Sequence, residues 1–219
     1  MFMKLYGAMS RHFGPCHWWP ASSPFEVVIG AVLTQNTAWH NVEKALANLR
    51  EKKALSPEAL WNMELDELEE CLRPSGFFRL KAKRLRNLLA WLTEFEGWDA
   101  SPANLKLNFL RGTGTKDLRR GLLAVTGIGP ETADCILLYA LQRESFVVDA
   151  YTKRIFSRHG FFPSDMAYED IRSLFMRSIP HDVHLYNEYH ALIVRTGNTF
   201  CKKSNPLCSR CPLGYLLKI

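Results

Sequence analysis

Long apolar runs are missing from this sequence of 219 residues, although 47% of its residues are hydrophobic. The longest runs, such as residues 27–33, are too short to cross a bilayer, and the first residues lack the apolar block of a signal peptide. Repeats and low-complexity tracts are absent, and few segments alternate apolar and polar residues as strands do. We therefore expect a folded cytoplasmic protein that makes no membrane contact.

The sequence has fewer acidic residues than basic ones, and its formal net charge is +6. Such an excess favours a polyanionic partner, but many proteins that bind none share it. Basic residues cluster at residues 79–86, 116–120 and 195–210. Taken alone, the cluster at residues 79–86 is typical of a solvated helix face. Charge therefore does not identify a partner.

Helical periodicity predicts an all-α bundle. Residues 25–33 are apolar on nearly every side, as expected of a buried central helix. Spaced apolar residues with polar residues between them predict further helices at residues 42–49, 57–72, 80–95 and 118–125.

The most informative segment places glycines between two apolar helical runs, in the sequence Thr-Gly-Ile-Gly-Pro at residues 126–130. Gly127 and Gly129 suit a tight turn, and Pro130 suits the first position of a helix. That helix then presents N–H groups and the positive end of its dipole beside a turn without bulky side chains. The pattern favours a helix-hairpin-helix that binds a phosphodiester, with an ordinary helix pair and glycine cap as the alternative.

Asp149 is the candidate catalytic residue. It follows the short apolar segment at residues 146–148 and precedes a helix predicted over residues 150–158, so it also suits the role of helix N-cap. One buried helix and a short extended piece separate it from the glycine turn, and this connection can return its carboxylate to DNA held by the hairpin. Asp149 can therefore cap and catalyse at once.

These motifs resemble the helix-hairpin-helix DNA glycosylases of the endonuclease III type, and most of all the branch represented by 3-methyladenine DNA glycosylase III. The resemblance extends over residues 33–37, 73–85, 125–134 and 147–156 and the C-terminal cysteines. It implies an all-α, two-domain fold that holds DNA in the cleft between its domains. One domain is expected at residues 20–143 and contains the hairpin; the other comprises residues 1–19 and 144–219 and carries Asp149.

The resemblance also implies a base-excision-repair enzyme in which Asp149 assists cleavage of the bond between a damaged base and deoxyribose. The sugar becomes oxocarbenium-like as the base leaves, so a carboxylate can stabilise positive charge and orient or deprotonate water. Bifunctional relatives use a lysine two residues after the second glycine, where this chain has Glu131. An acid cannot replace an amine nucleophile, so a monofunctional glycosylase is predicted, with Lys153 as a less favoured substitute.

Two alternatives stay open. One is a bifunctional glycosylase and AP lyase for oxidised pyrimidines, and the other is a non-catalytic helix-hairpin-helix module that only binds DNA.

Aromatic residues on both sides of the predicted buried helix form a candidate base pocket: Trp18, Trp19, Pro20 and Trp39. A base flipped out of the duplex is held by stacking, and a cationic alkylated purine such as 3-methyladenine gains attraction from indole faces. Closure of the hydrophobic core is the alternative role for these tryptophans.

Further residues are expected to contact DNA. Gln35 resembles the family residue that enters the gap left by the flipped nucleotide. The hairpin contributes Gly127, Ile128, Gly129, Glu131 and Thr132, and the C-terminal loop contributes Lys202 and Lys203. The expected partner is damaged double-stranded DNA, bound by a monomer at the nucleoid of a prokaryote.

One cysteine is missing from the C-terminal pattern. Three match the first positions of the family's C-x6-C-x2-C-x5-C site for a 4Fe–4S cluster: Cys201, Cys208 and Cys211. The fourth position is Leu217, so a cluster requires Cys16, a histidine such as His190, or an exogenous ligand. Zinc and unligated cysteines are the alternatives at this incomplete site.

Overall fold

The structure is a computed structural model that describes residues 1–98 and 105–216. Its α-helices are α1 (Phe2–Phe13), α2 (Pro24–Leu33), α3 (Trp39–Glu51), α4 (Pro57–Asn62), α5 (Leu65–Leu72), α6 (Phe78–Leu92), α7 (Thr115–Ala124), α8 (Pro130–Cys135), α9 (Ala150–Arg158), α10 (Tyr168–Ser178) and α11 (Val183–Thr199). No strand occurs in these ranges, which confirms the all-α prediction. None of the described helices is long and apolar enough to cross a membrane.

The chain divides into two compact units. The hairpin unit is Ala21–Arg143 and contains α2 to α8. The cysteine-loop unit is Met1–Pro20 together with Glu144–Ile219 and contains α1 and α9 to α11.

Helix α2 is the centre of the hairpin unit, as its apolar sequence predicts. Every residue from Phe25 to Leu33 is buried, and the helix packs against α6, α8 and the π-helical turn Ile136–Ala140. An acid near its start and a base at its end complement the helix dipole. Glu26 lies in the first turn and accepts hydrogen bonds from Ser22 and Arg50, while the ammonium of Lys81 donates to the Leu33 carbonyl.

Lys81 is an exception to the solvated face predicted at residues 79–86, because its side chain is completely buried. Besides the Leu33 carbonyl at 2.7 Å, its ammonium donates to the hydroxyl of Thr37 at 2.6 Å and to the carbonyl of Ser75 at 2.7 Å. A buried ammonium is stable only when such acceptors replace its water. Lys81 therefore ties the end of α2 to the segment that precedes α6.

The single helix predicted over residues 57–72 is wrong, because two helices, α4 and α5, occupy this segment. Between them Met63 adopts an extended backbone with φ −63° and ψ 136°. Arg86 of α6 donates to the carbonyls of Leu60, Trp61 and Met63, which a continuous helix would use for its own hydrogen bonds. A distant side chain thus compensates for the break.

An aromatic core holds the cysteine-loop unit together. Phe146 stacks on Phe175 with ring centroids 4.2 Å apart, and the Tyr189 hydroxyl donates to the Phe2 carbonyl at 2.6 Å. Phe146, Val147 and Val148 are fully or almost fully buried. This anchored extended segment leads directly into Asp149 and α9, whose range confirms the helix predicted over residues 150–158.

Candidate functional site

The predicted hairpin is present as α7, a turn and α8. Gly127 has φ +96°, which a residue with a side chain rarely adopts, and a Cβ there would lie 2.4 Å from Cγ of Arg84. Gly129 is the N-cap of α8 with φ −90°, and a Cβ there would meet nothing within 4 Å. Only Gly127 is therefore required by the fold. Gly129 leaves open space beside the first turn of α8, which has no side-chain cap.

Gln35 is bound to the hairpin. Its amide Nε2 donates to the Gly127 carbonyl at 3.1 Å and to the Thr132 hydroxyl at 2.9 Å, while its Oε1 accepts from Arg84. The structure thus brings together Gln35 and two of the residues predicted to contact DNA. Entry of Gln35 into a gap in the duplex stays a prediction, and it requires these three hydrogen bonds to break.

The hairpin residues differ in what they can offer a phosphate. The side chains of Ile128 and Thr132 are buried, each 5% exposed, so their predicted DNA contacts depend on main-chain atoms. The Ile128 N–H already donates to the Val125 carbonyl at 3.0 Å. Glu131 is exposed in the first turn of α8, where its negative charge opposes the helix dipole's attraction for a phosphate.

A buried ion pair that sequence analysis missed joins the two helices of the hairpin. Arg119 of α7 forms two hydrogen bonds with the carboxylate of Asp134 in α8, at 2.9 and 3.0 Å. The side chains are 16% and 0% exposed respectively. The available signal was Asp134 itself, a single acid within the apolar run of residues 133–140. A buried charge of this kind requires a partner.

Asp149 is the N-cap of α9, as predicted, and is 8% exposed. Its Oδ1 accepts hydrogen bonds from the N–H of Thr152 at 2.7 Å and from the Thr152 hydroxyl at 2.8 Å. Its Oδ2 lies 3.7 Å from Nε2 of His190 in α11. The cap therefore fixes the orientation of the carboxylate through one oxygen and leaves the second beside a histidine.

His190 is a neighbour of Asp149 that sequence reasoning assigned elsewhere, as a candidate cluster ligand. The residue is 5% exposed. Burial lowers the pKa of His190 more than the nearby Asp149 carboxylate raises it. The imidazole is therefore neutral near pH 7 and does not cancel the charge of Asp149.

The predicted base-pocket residues belong to different units. Trp18 and Trp19 are half-buried in the cysteine-loop unit with ring centroids 5.1 Å apart, and Pro20 is exposed. Trp39 is half-buried at the first position of α3 in the hairpin unit. Rings that keep part of their surface exposed remain available for stacking, whereas completely buried rings do not. The pocket itself stays a prediction.

Two arginines bind the main chain of the loop that carries the C-terminal cysteines, which we call the cysteine loop (residues 201–211). Arg154 donates to the carbonyl of Cys201 at 2.7 Å, and Arg158 donates to the carbonyls of Lys202 and Lys203 at 2.7 and 2.8 Å. Lys202 and Lys203 are exposed, as a predicted phosphate contact requires. The C-terminal half of α9 therefore anchors a loop that displays positive charge.

Three cysteines line one cavity beneath this loop: Cys201, Cys208 and Cys211. Burial raises the pKa of the Cys211 thiol, and the neighbouring Cys201 and Cys208 raise it further. Within the described ranges, no three His, Cys, Asp or Glu side chains are grouped as they would be around one metal ion.

The expected fourth ligands are not in the lining of this cavity. The main-chain N–H of Cys16 donates to Glu188 at 2.8 Å, and His190 lies beside Asp149. A different histidine, His159 at the end of α9, lines the cavity with the cysteines. Sequence reasoning missed it, because nothing in the spacing links residue 159 to the C-terminal pattern.

Comparisons with known proteins agree with this geometry. The family described as HhH-GPD superfamily base excision DNA repair protein matches residues 29–181. A Methanocaldococcus jannaschii protein named "Putative DNA repair glycosylase MJ1434" is 46% identical over 213 residues, which cover 97% of this chain and 94% of that protein.

Solved structures of DNA glycosylases are also similar to this chain. The H. pylori 3-methyladenine DNA glycosylase (MagIII) bound to 1,N6-ethenoadenine is 30% identical with a TM-score of 0.74, covering 90% of this chain and 96% of that one. A trapped endonuclease III–DNA covalent intermediate is 25% identical with a TM-score of 0.80, covering 100% of this chain and 96% of that one.

Proposed function

The chain belongs to the HhH-GPD superfamily of base excision DNA repair proteins and is a DNA N-glycosylase, and from this premise we propose that it is monofunctional and excises alkylated bases of the 3-methyladenine type. Its partner is double-stranded DNA that contains a damaged base. We further propose that it acts as a monomer at the nucleoid.

The observation that carries the proposal is the setting of Asp149. Its two cap hydrogen bonds involve Oδ1 only, while Oδ2 has a neutral histidine at 3.7 Å instead of a cation. Charge on a fixed carboxylate stabilises the positive sugar that develops as the base departs. The same carboxylate can orient a water molecule and accept its proton as water attacks the anomeric carbon.

The monofunctional assignment rests on Glu131. This residue occupies the position of the amine nucleophile in bifunctional relatives, and it is exposed in the first turn of α8. A carboxylate there cannot form a Schiff base with the sugar, so water is the nucleophile and the product is an intact abasic site. Lys153, the less favoured substitute nucleophile, donates through Nζ to the Met166 carbonyl at 3.3 Å.

Two lines of support favour an alkylated base. The sequence offers partly exposed tryptophans, and indole faces attract a cationic purine more than a neutral one. The H. pylori glycosylase, which is 30% identical, acts on 3-methyladenine by its name. The second candidate is a bifunctional enzyme of the endonuclease III type, which the 25% identical covalent complex favours.

A panel of duplexes tests the proposal. Each contains one defined lesion, either 3-methyladenine, 1,N6-ethenoadenine or an oxidised pyrimidine, and an undamaged duplex serves as the control. We expect release of alkylated bases, strand breaks only after alkali, and no adduct with borohydride. Strand breaks without alkali together with a borohydride adduct would establish the bifunctional candidate, and release of no base from any duplex would leave a DNA-binding module.

A further inference from the structure

We propose that His159, through Nδ1, is the fourth ligand of a 4Fe–4S cluster whose other ligands are Cys201, Cys208 and Cys211. The cluster would occupy the cavity that these four residues line. This inference concerns a cofactor site and does not depend on which base the enzyme excises.

The first support is an orphaned nitrogen. The Nδ1 atom of His159 is buried and has no hydrogen-bond partner in the structure. A buried polar atom without a partner destabilises the fold, so such an atom calls for an explanation. Here it belongs to a side chain that lines the same cavity as three cysteines. An iron ion would satisfy it.

The second support is the tautomer of the ring. His159 also hydrogen-bonds to the main chain of Leu216. Because Nδ1 has no partner, Nε2 is the donor and Nδ1 carries the lone pair. Metal-binding histidines have this arrangement, in which the distal N–H donates to a carbonyl and fixes the ring.

The third support is the position of the contact in the chain. Leu216 directly precedes Leu217, the position of the missing fourth cysteine. His159 therefore reaches the part of the C-terminal segment at which the cysteine pattern is incomplete. A ligand from α9 replaces one that the loop lacks.

The end of α9 both holds the loop and presents the ligand. Arg158 donates to the carbonyls of Lys202 and Lys203, and His159 is the next residue. The N–H of His159 donates to the Ile155 carbonyl at 3.1 Å, so the helix fixes its main chain. The imidazole is consequently placed by the same turn that holds the main chain of residues 202 and 203.

Three cysteines and a histidine also suit zinc, but zinc draws all its ligands to within about 2.0–2.3 Å of one ion. A cubane cluster takes one ligand at each of four irons, so its ligands lie farther apart. The described side chains are not grouped around a single point. This looser arrangement fits the cluster. When bound, the cluster would crosslink α9 to the loop that carries Lys202 and Lys203.

The test is anaerobic reconstitution of the full chain with ferrous iron and sulfide, followed by measurement of iron, acid-labile sulfide and zinc per chain. Pulsed electron paramagnetic resonance of the reduced protein then reports nitrogen bound to iron. We expect about four irons per chain in the wild type with a strong nitrogen coupling. His159→Ala should lose the coupling and at least one iron, and His159→Cys should keep four irons without the coupling.

Two matched variants, Cys16→Ser and His190→Gln, alter the other candidate ligands and should change neither readout. Circular dichroism verifies that each variant folds. If His159→Ala does not fold, the nitrogen coupling in His159→Cys shows whether His159 is the ligand. Nitrogen coupling that persists in His159→Cys, or a wild type that takes up zinc and no iron, would overturn the proposal. No substrate is present, so this result and that of the lesion panel can fail independently.

Discussion

Among the residues that the structure describes, two aspartates are buried, one in each unit, and their surroundings differ. Asp134 faces the guanidinium of Arg119 through two hydrogen bonds. Asp149 faces the neutral imidazole of His190 and the N-terminus of α9. Asp134 is therefore paired with a cation. Asp149 instead caps a helix, and the histidine beside it is neutral.

This difference distinguishes a carboxylate suited to a structural role from one suited to catalysis. A paired carboxylate in a salt bridge stabilises a fold but has little capacity left for a developing positive charge. A carboxylate oriented by hydrogen bonds and lacking a counter-cation is available to a cationic transition state. The comparison therefore supports a structural role for Asp134 in the hairpin and the proposal that Asp149 is the catalytic residue.

The largest expected effect is on turnover by Asp149→Asn. The amide can still cap α9, but removal of the charge should cost roughly 3 kcal/mol or more of transition-state stabilisation, a loss of a hundredfold or greater in rate. The measurement is single-turnover base release, with duplex binding and thermal unfolding alongside. Binding and stability should remain close to wild type.

A matched control exists in the same unit. Asp182 caps α11 by accepting from the N–H of Leu185 at 2.6 Å and is exposed. Asp182→Asn makes the same chemical change at another helix start and should leave turnover unchanged. Equal rates for Asp149→Asn and the wild type would show that Asp149 is not catalytic, and the functional contrast with Asp134 would be wrong.

The next effect should appear in stability, in Asp134→Asn. Loss of the Asp134 carboxylate removes two charge-assisted hydrogen bonds from the guanidinium of Arg119, whose side chain is 16% exposed. Breaking a buried pair in this way costs about 3–5 kcal/mol, and the lower end applies because Arg119 keeps some contact with solvent. Denaturant unfolding measures the change.

The control for this variant is Asp117→Asn. Asp117 pairs with Arg120 on the exposed surface of α7 at 2.7 Å. An exposed pair contributes about 0–1 kcal/mol, so this variant should unfold almost as the wild type does. If the two variants lost similar stability, the buried pair would have no special role in the hairpin.

Local signals in the sequence predicted both regions well. Glycine, proline and a capping aspartate act within a few residues, so the hairpin turn and the start of α9 could be placed from the sequence alone. The features that were missed depend on partners far along the chain. Lys81 is buried because Thr37, which is 44 residues away, lies beside it. Sequence spacing does not reveal such contacts. For the same reason it did not predict that His159 lies beside the C-terminal cysteines.

A third prediction separates recognition of the base from binding of the backbone. Trp39→Ala should impair excision of 3-methyladenine far more than it impairs binding to undamaged duplex, because stacking contributes about 1–3 kcal/mol per base. A cationic base gains more from the indole face, so a neutral lesion should lose less.

Single-turnover release of both lesions measures this effect, with Trp39→Phe as the control that keeps a smaller ring. Normal excision of 3-methyladenine by Trp39→Ala would assign Trp39 to packing of α3. The glycosylase assignment would be unaffected, since it rests on the family match and on Asp149.

The smallest effects should distinguish the two glycines of the hairpin. Gly127→Ala places a Cβ at φ +96° and 2.4 Å from Cγ of Arg84, so it should destabilise the protein by about 1–3 kcal/mol. It should also disturb the contact between Arg84 and Gln35. Gly129→Ala meets nothing within 4 Å at an ordinary φ, so it should change stability by less than about 0.5 kcal/mol.

Both variants should still weaken DNA binding, for different reasons. Gly127→Ala distorts the turn, whereas Gly129→Ala adds a methyl group where a phosphate would approach the first turn of α8. Neither effect involves a base, so damaged and undamaged duplexes should lose affinity by the same factor. Thermal unfolding and titration with both duplexes measure the two quantities separately. Full affinity in a stable Gly129→Ala variant would place the phosphate elsewhere, and a loss confined to the damaged duplex would show that the hairpin reads the lesion.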